Sequence, residues 1–314
     1  MNRDELMLFA GSGSRRLSAR IGEYLDTPVR KSETLKFSDG NTFVRVLENV
    51  RGRDVFIVQS IVHKTNDYFM ELLFWTDAFK RASASSVTAL IPYFGYGKGD
   101  KKDEPRVSIR ARVCADALES AGVDRVVTMD LHAPQIQGFF RVPVDNLYGH
   151  PTLCERLKDL VRGPAVVVAP DTGFADDARL YADYLGCPVA IGDKQRTRHD
   201  ERAQVHDIIG DVKGKTAIVV DDFVVSGGTL VETAKRLSEK GATRIVAAVT
   251  HAVLSGGSIE RLEQSPLEKL IVTDTVENEE LGHPDRIEVI TASKCFGEAI
   301  RRIHLKESIS EMFP

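Results

Sequence analysis

A loop rich in glycine and hydroxylated residues lies inside the stretch KTAIVVDDFVVSGGTLVETAKRLSEKGA, residues 215–242. Gly227 and Gly228 would let the backbone approach an anion closely, because glycine has no side chain to obstruct it. Ser226 and Thr229 add hydroxyl groups, and a helix predicted to begin near Thr229 would point its free amides at the same anion. This spacing predicts a phosphate-binding loop.

Two adjacent carboxylates precede this loop. Asp221 and Asp222 end the apolar run KTAIVV, which is typical of a buried strand. Carboxylates repel a phosphate, but at the carboxyl edge of a strand they can bind ribose hydroxyls or hold Mg²⁺. The alternative interpretation is an acidic strand end followed by an ordinary helix N-cap. The acids and the loop together favour a ligand site.

Two more polar residues follow predicted strands. His132 comes soon after the run RVVTM, and Asp171 comes after AVVVAP. Ligands of open α/β sheets bind at this carboxyl edge, where an imidazole can contact Mg²⁺ or a phosphate oxygen and a carboxylate can hold Mg²⁺. Each residue could instead serve a local turn, His132 by capping backbone groups and Asp171 as an acidic turn residue.

The segment DKQRTRHDERAQ, residues 193–204, is dense in charge and lies between the strand-like runs PVAIG and VHDIIG. Its composition predicts a solvent-exposed, mobile hairpin. A loop of this kind can bring cations to the negative charge that develops on a transferred phosphoryl group, and it can exclude water as it closes.

Short apolar runs rich in β-branched residues alternate with stretches of helical periodicity. The first such unit consists of DVFIVQS (54–60), an amphipathic helix predicted over 68–82 and VTALIPYF (87–94). Further strands are predicted at 125–132, 165–171, 187–193, 215–222, 244–251 and 269–275. Continuous apolar runs are typical of parallel strands covered on both faces. We therefore predict an α/β fold with two tandem doubly wound domains and mostly parallel sheets.

A weak internal repeat supports two domains. VTALIPYFGYG resembles AVVVAPDTGF, and RVVTMDLHA resembles KTAIVVDDF, in the same order along the chain. A length of 314 residues also suits two domains of about 100–200 residues each. We place the boundary near Gly149–Pro151 and predict domains at 1–149 and 150–305, with a tail at 306–314 that packs back on the first domain.

The composition excludes several functional classes. The chain has 42 Lys and Arg against 46 Asp and Glu, and its net charge of -4 gives no global attraction to nucleic acid or to a membrane surface. No run approaches the roughly 18 apolar residues of a membrane span. The cysteines form no C-x-x-C pair, which argues against a zinc cluster or a disulfide framework and favours a cytoplasmic location.

The sequence VVDDFVVSGGT resembles the 5-phosphoribosyl-1-pyrophosphate (PRPP) binding loop of the phosphoribosyltransferase fold. Other segments, from near Gly11 to the C-terminus, are similar in order and spacing to ribose-phosphate pyrophosphokinases. They are FSDGN (37–41), VRGRDVFIVQS (50–60), DAFKRASA (77–84), IPYFGYGKGDKK (91–102), MDLHAPQIQGFF (129–140), VPVDNLYG (142–149), APDTG (169–173), DKQR (193–196) and VTHAVLSGG (249–257). The DLHAPQIQGFF segment is highly specific, because ordinary phosphoribosyltransferases have nothing similar.

This resemblance implies two domains of phosphoribosyltransferase type, the first for ATP and the second for ribose 5-phosphate. It implies a Mg²⁺-dependent transfer of the β,γ-diphosphoryl group of ATP to the C1 hydroxyl of ribose 5-phosphate, which gives PRPP and AMP. Lys194 and Arg196 match the catalytic loop that closes over the β-phosphate. His132 and Asp171 match a metal site, and His132 also matches an ATP-phosphate contact. The residues that match the ribose 5-phosphate site are Asp221, Asp222, Ser226, Gly227, Gly228 and Thr229.

The nucleotide base is expected to bind a loop that a neighbouring subunit provides. The resemblance implies that Phe37 stacks on adenine and that Asp39 and Asn41 lie at its edge. Lys98 and Asp100, from the loop YGKGDKK, match further positions of the ATP site. Phe37 could equally be a core residue, and flexible basic loops are commonly only solvent-facing. The family also implies a homo-oligomer, from a dimer to a hexamer.

Several positions depart from the usual family pattern. Lys98 and Gly99 stand where the family has Arg and Gln, and Asn41 stands where it has Glu. The changes remove planar and charged groups near the base, so they leave the choice of nucleotide open. Val225 replaces a third acid of the PRPP loop and can neither contact the ribose nor accept a proton.

Three functions remain compatible with these residues. The first is an active PRPP synthetase, with ATP and ribose 5-phosphate as its partners. The second is a phosphoribosyltransferase that consumes PRPP, and the DLHAPQIQGFF segment counts against it. The third is a catalytically silent homologue that regulates an active synthetase, for which Val225, Lys98 and Asn41 are the only support. The retained His132, Asp171 and Asp pair favour the first.

Overall fold

The computed structural model describes residues 6–195, 204–278 and 285–313. The chain forms two compact units, which are described separately below. The first unit consists of residues 1–148 with the segments 275–277 and 291–314, and the second consists of residues 149–274 and 278–290. The polypeptide therefore returns to the first unit twice before it ends.

The first unit contains a parallel sheet and a separate antiparallel hairpin. Its elements up to residue 148 are β1 (Leu6–Ala10), α1 (Arg15–Leu25), β2 (Ser32–Lys36), β3 (Thr42–Val46), β4 (Asp54–Val58), α2 (Thr65–Arg81), β5 (Ser86–Ile91), α3 (Arg110–Ala121), β6 (Arg125–Met129) and β7 (Val144–Leu147). The parallel sheet has the strand order β1-β4-β5-β6-β7, and β2 pairs with β3 outside it.

Helices cover both faces of this parallel sheet. Along β4, Val55 and Ile57 lie in one apolar cluster, with Trp75 of α2. The alternate residues Phe56 and Val58 lie in a second cluster on the opposite face. Successive strand residues point to opposite faces, so a strand covered on both sides must be apolar at every position. This explains why the run DVFIV lacks alternation.

A buried carboxylate ties the hairpin to the rest of the first unit. Glu71 of α2 is 3% exposed. One of its oxygens, Oε1, accepts hydrogen bonds from the amide and hydroxyl of Ser12, from the hydroxyl of Thr34 in β2 and from the indole of Trp75. Burying a carboxylate is costly unless such donors replace water. Glu71 therefore fixes the position of β2 relative to α2 and to the loop after β1.

The second unit contains one larger sheet. Its elements are α4 (His150–Leu160), β8 (Ala165–Ala169), α5 (Ala175–Leu185), β9 (Val189–Gln195), β10 (Gln204–Ile209), β11 (Thr216–Val224), α6 (Gly228–Glu239), β12 (Arg244–Ala252), α7 (Ser258–Glu263), β13 (Lys269–Thr273) and β14 (Ile287–Ile290). The strand order is β10-β9-β8-β11-β12-β13-β14, and every pairing is parallel except that of β10 with β9. Its central strands are again buried on both faces.

The last helix, α8 (Ser293–Leu305), belongs to the first unit. Phe296, Ala299 and Ile300 lie in the same apolar cluster as Leu17 of α1. The sequence analysis assigned residues 150–305 to the second domain, and for α8 this was wrong. The periodicity of a helix identifies its apolar face, but it does not identify the sheet that this face covers.

The predicted α/β class with mostly parallel sheets is confirmed. The helix predicted over 68–82 spans Thr65–Arg81, and the strand predicted to end at Asp222 continues to Val224. The short strands β1, β2, β3, β7 and β14 were not predicted. No helix in the described ranges has the length and apolar character that crossing a membrane requires.

We expect Phe296→Ala to destabilise the first unit by about 3–5 kcal/mol, because Phe296 is fully buried and its loss leaves a cavity. Trp75 is the single tryptophan of the chain and is buried in the same unit, so its fluorescence reports that unit's unfolding in urea. Lys294→Ala, at an exposed position of the same helix, is the control. An unchanged Trp75 transition in Phe296→Ala would contradict the assignment of α8.

Candidate active site

The acidic residues of the second unit lie at the carboxyl edge of two neighbouring strands. Strands β8 and β11 are parallel and adjacent, with Val168 opposite Val219. Asp171 follows the end of β8, and Asp221 and Asp222 lie in the last part of β11. The Oδ1 atom of Asp171 accepts a hydrogen bond of 2.9 Å from the amide of Gly173. The structure thus brings these three predicted site residues to one edge.

Burial and neighbouring negative charge raise the pKa of two carboxyl groups near this edge, those of Asp221 and Asp177. Burial raises the pKa of Asp221 well above its ordinary value, and the negative charges of Asp222 and Asp171 raise it further. Partial burial raises the pKa of Asp177 in the first turn of α5, and the charges of Asp222 and Asp176 add to that shift. The carboxylates are therefore crowded in a way that a cation or a hydroxyl donor would relieve.

Asp177 was not identified in the sequence. The only signal was the acidic pair Asp176 and Asp177 shortly after PDTG, a pattern that equally suits the first turn of any helix. Its electrostatic coupling to Asp222 depends on the pairing of β8 with β11, which the sequence does not state.

The predicted phosphate loop connects β11 to α6. Gly227 has a φ of 74°, a left-handed conformation that favours glycine, and it caps α6. The amide of Gly228 donates to the hydroxyl of Ser226 at 3.4 Å. A Cβ atom on Gly228 would meet only that hydroxyl, at 3.6 Å, so the space beside Gly228 is open. The first amides of α6, including that of Thr229, have no intrahelical acceptor and can bind an anion.

The charged segment 193–204 joins two antiparallel strands. Lys194 lies in β9, and its backbone pairs with that of Val205 in β10. The antiparallel pairing agrees with the hairpin that the sequence predicts, and the side chain of Lys194 lies outside the described part. Arg196 also lies outside the described residues, so the catalytic assignment of both stays a prediction.

In the first unit the structure brings the turn that contains Lys98 close to His132. Lys98 is exposed in the 3-10 turn Gly97–Gly99, which ends at Asp100. His132, also exposed, follows β6, and its Cβ atom lies 3.9 Å from the position that a Cβ atom on Gly97 would take. These residues therefore share the carboxyl edge of the first sheet.

The turn 37–41 closes the hairpin of β2 and β3. The amide of Asn41 donates to Oδ1 of Asp39 at 3.0 Å, and its side-chain Nδ2 donates to Oδ2 at 2.8 Å. These two hydrogen bonds lower the pKa of Asp39, so the carboxylate stays ionised. Phe37 is 51% exposed, which excludes the core role considered in the sequence analysis. The side-chain amide of Asn41 is thus a donor to Asp39, and an ionised Glu side chain could not donate this hydrogen bond.

The donor chemistry of the second unit fits Mg²⁺. No group of three or more His, Cys, Asp or Glu side chains within 6–195, 204–278 and 285–313 forms a complete metal site. Mg²⁺ commonly binds through one or two carboxylates, waters and substrate phosphates. Asp171, with Asp221 beside it, supplies such carboxylates next to the phosphate loop.

Comparisons with known proteins identify the family to which the chain belongs. Residues 6–122 match the N-terminal domain of ribose phosphate pyrophosphokinase, and residues 203–314 match the phosphoribosyl synthetase-associated domain. The ribose-phosphate pyrophosphokinase of Caldanaerobacter subterraneus subsp. tengcongensis is 47% identical over 99% of this chain and 98% of that protein. The one from Campylobacter jejuni subsp. jejuni is 45% identical over 98% of both.

A solved structure agrees as well. The phosphoribosylpyrophosphate synthetase from Mycobacterium smegmatis is 37% identical and superimposes with a TM-score of 0.89, over 96% of this chain and 99% of that one. Similarity of this degree along almost the whole of both chains makes the protein a member of the ribose-phosphate pyrophosphokinase family.

Proposed function

We propose that the protein transfers the β,γ-diphosphoryl group of ATP to the C1 hydroxyl of ribose 5-phosphate, giving PRPP and AMP. The observation that carries this proposal is the acidic end of β11, which leads directly into the glycine loop at the start of α6. The full-length similarity to enzymes named ribose-phosphate pyrophosphokinase supports it. The retained site residues favour an active enzyme over a silent homologue.

Ribose 5-phosphate is assigned to the second unit. The 5-phosphate accepts hydrogen bonds from the loop residues Ser226, Gly227, Gly228 and Thr229, where backbone amides and hydroxyls are available. Asp221 and Asp222 accept hydrogen bonds from the ribose hydroxyls. These hydroxyl donors would relieve the repulsion that raises the pKa of Asp221.

ATP is assigned to the first unit. Lys98 and His132 contact the phosphates from the carboxyl edge of the sheet, and Asp100 ends the same turn. Phe37 offers an exposed ring for stacking on the base, with Asp39, held by Asn41, at the base edge.

The reaction joins the C1 oxygen of ribose 5-phosphate to the β-phosphorus of ATP and breaks the bond to the oxygen that leaves with AMP. Charge builds on the phosphoryl oxygens during this step, so cations that close over them stabilise the transition state. We assign this role to Lys194 and Arg196. The proton of the C1 hydroxyl passes to the pair Asp221 and Asp222, because Val225 has no group that accepts it.

Mg²⁺, when bound, supplies positive charge that neutralises the phosphate oxygens. Asp171 is the candidate metal ligand of the second unit, and His132 is the candidate of the first. We also propose a cytoplasmic location, which the four cysteines, all without a disulfide, support.

We further propose a homo-oligomer, between a dimer and a hexamer. The outer face of the hairpin β2–β3 exposes Leu35 at 43%, Phe37 at 51% and Leu47 at 51%. Exposed apolar side chains of this size on one small element are typical of surfaces that contact another protein. A second copy of the chain on this face would lie beside the turn 37–41.

The function is tested by incubating the purified protein with ATP, ribose 5-phosphate and Mg²⁺ and quantifying PRPP, AMP and ADP. We expect PRPP and AMP in equal amounts, because one diphosphoryl transfer forms both. A folded protein that forms neither product, but stimulates an active synthetase, would support the regulatory homologue. Consumption of PRPP with a free base, without PRPP synthesis, would support the phosphoribosyltransferase.

Gly228→Val should weaken ribose 5-phosphate binding by about 10-fold or more and leave ATP binding unchanged. The space beside Gly228 is open in the protein, so valine would fold there and fill the 5-phosphate position. Gly256→Val, at a similarly open glycine of the same unit, is the control. Calorimetry that finds wild-type affinity for ribose 5-phosphate in folded Gly228→Val would refute the loop assignment.

Asp221→Asn should stabilise the ligand-free protein while lowering its activity. The raised pKa of Asp221 means that its ionisation opposes folding at pH values above the pKa of the unfolded carboxyl, which is about 3.9. We therefore expect the variant's gain in Tm to be largest at about pH 8 and to vanish toward about pH 4. A gain that does not change with pH would contradict the burial of an ionised carboxylate beside other charges as its cause.

A further inference from the structure

Gly99 is buried, although the turn that contains it carries the exposed Lys98. The side chain that covers Gly99 is Arg110. A Cβ atom on Gly99 would lie 2.6 Å from Nε, 2.8 Å from Cβ and 3.2 Å from Cζ of Arg110. The first two distances are shorter than van der Waals contact. Arg110 therefore occupies the space that any side chain at position 99 would need.

The backbone of Arg110 is fixed by its helix. Arg110 is the first residue of α3, and the next residue, Ala111, is fully buried in the core with Cys114 and Leu118. The guanidinium differs from its neighbours. Within the part of the chain that the structure describes, the side chain of Arg110 makes no hydrogen bond and no ion pair, whereas that of Arg112 lies 2.6 Å from Asp116.

This position is unfavourable for a cation in the free protein. The first turn of a helix carries partial positive charge, so an unpaired arginine there lowers the stability of the helix. The side chain is exposed, and the loop before α3 carries exposed Lys101 and Lys102 together with exposed Asp103 and Glu104. An anion bound here would be attracted by the Arg110 guanidinium and by the first turn of α3.

The neighbours of Gly99 show which part of the site Arg110 faces. The turn Gly97–Gly99 has the Cβ atom of His132 beside Gly97 and the Arg110 side chain beside Gly99. Lys98 lies between these two glycines. Arg110 and His132 thus both adjoin the turn that carries Lys98. The sequence analysis matched His132 to an ATP-phosphate contact and Lys98 to the ATP site.

We propose that Arg110 binds the phosphate chain of the nucleotide donor and supplies the planar cation that Lys98 lacks. The inference rests on the proposed function, because it takes the first unit as the nucleotide site. A guanidinium can bind two phosphate oxygens in parallel, which an ammonium group cannot do. Gly99 is then required, because a larger residue would displace Arg110.

The test is calorimetric titration with ATP and Mg²⁺ in the absence of ribose 5-phosphate, followed by steady-state kinetics. We expect Arg110→Ala to raise the Kd and the KM for ATP by about 10-fold to 100-fold, the usual effect of losing charge-assisted hydrogen bonds. The KM for ribose 5-phosphate should not change. Arg110→Lys should recover only part of the affinity, and adding Lys98→Arg to Arg110→Ala should recover more.

Arg141→Ala is the matched control. Arg141 is exposed and precedes β7, at the opposite edge of the same sheet, so the variant removes the same charge away from the site. Unchanged ATP affinity in Arg110→Ala, or an equal loss in Arg141→Ala, would overturn the proposal. If Arg110→Ala does not fold, Gly99→Ala tests the same point, since it keeps Arg110 but its Cβ atom displaces that side chain.

The role of Arg110 and the proposed function can be disproved separately. If ATP binding depends on Arg110 but the wild type makes no PRPP, the proposed function is wrong and the role of Arg110 stands. If Arg110→Ala makes PRPP with a wild-type KM for ATP, the role of Arg110 is wrong and the function stands.

Discussion

The burial of parallel strands on both faces is the constraint on which the site depends. Val219 and Val220 of β11 point into two different apolar clusters, so neither position tolerates a charge. Polar side chains can begin only where the strand reaches the carboxyl edge, and Asp221 and Asp222 follow at once. Burial raises the pKa of Asp221, and the charges of Asp222 and Asp171 raise it further. Hydroxyl donors or a cation would therefore stabilise its ionised form.

The same constraint acts in the first unit with different residues. The strands β5 and β6 carry no charged side chain from Val87 to Ile91 and from Val126 to Met129, and the turn Gly97–Gly99 and His132 follow them. Here the edge carries the exposed cations Lys98 and Arg110, together with the partly exposed acids Asp100 and Asp130. The acids of the second unit suit ribose hydroxyls and Mg²⁺, and the cations of the first unit suit a polyphosphate. These groups support the assignment of one substrate to each unit, which the family resemblance implies.

The sequence predicts those parts of the fold and site that depend on local pattern. The long apolar strands, the loop Ser226–Thr229 and the positions of Asp171 and His132 at strand ends all follow from neighbouring residues. The position of α8 does not, because an apolar helix face can cover either sheet. The contact of Arg110 with Gly99 and the coupling of Asp177 to Asp222 also depend on tertiary packing. The hairpin β2–β3 was missed because its strands are short and only partly buried.

We propose that the nucleotide binds the edge of the first unit that carries Lys98 and Arg110, and that ribose 5-phosphate binds the acidic edge of the second unit. Amide hydrogen exchange, measured with each ligand alone in the presence of Mg²⁺, distinguishes the two sites. We expect ATP to slow exchange around residues 97–100 and 131–133, and ribose 5-phosphate to slow exchange around residues 226–231 at the start of α6. Protection of 226–231 by ATP alone, or of 97–100 by ribose 5-phosphate alone, would refute this assignment.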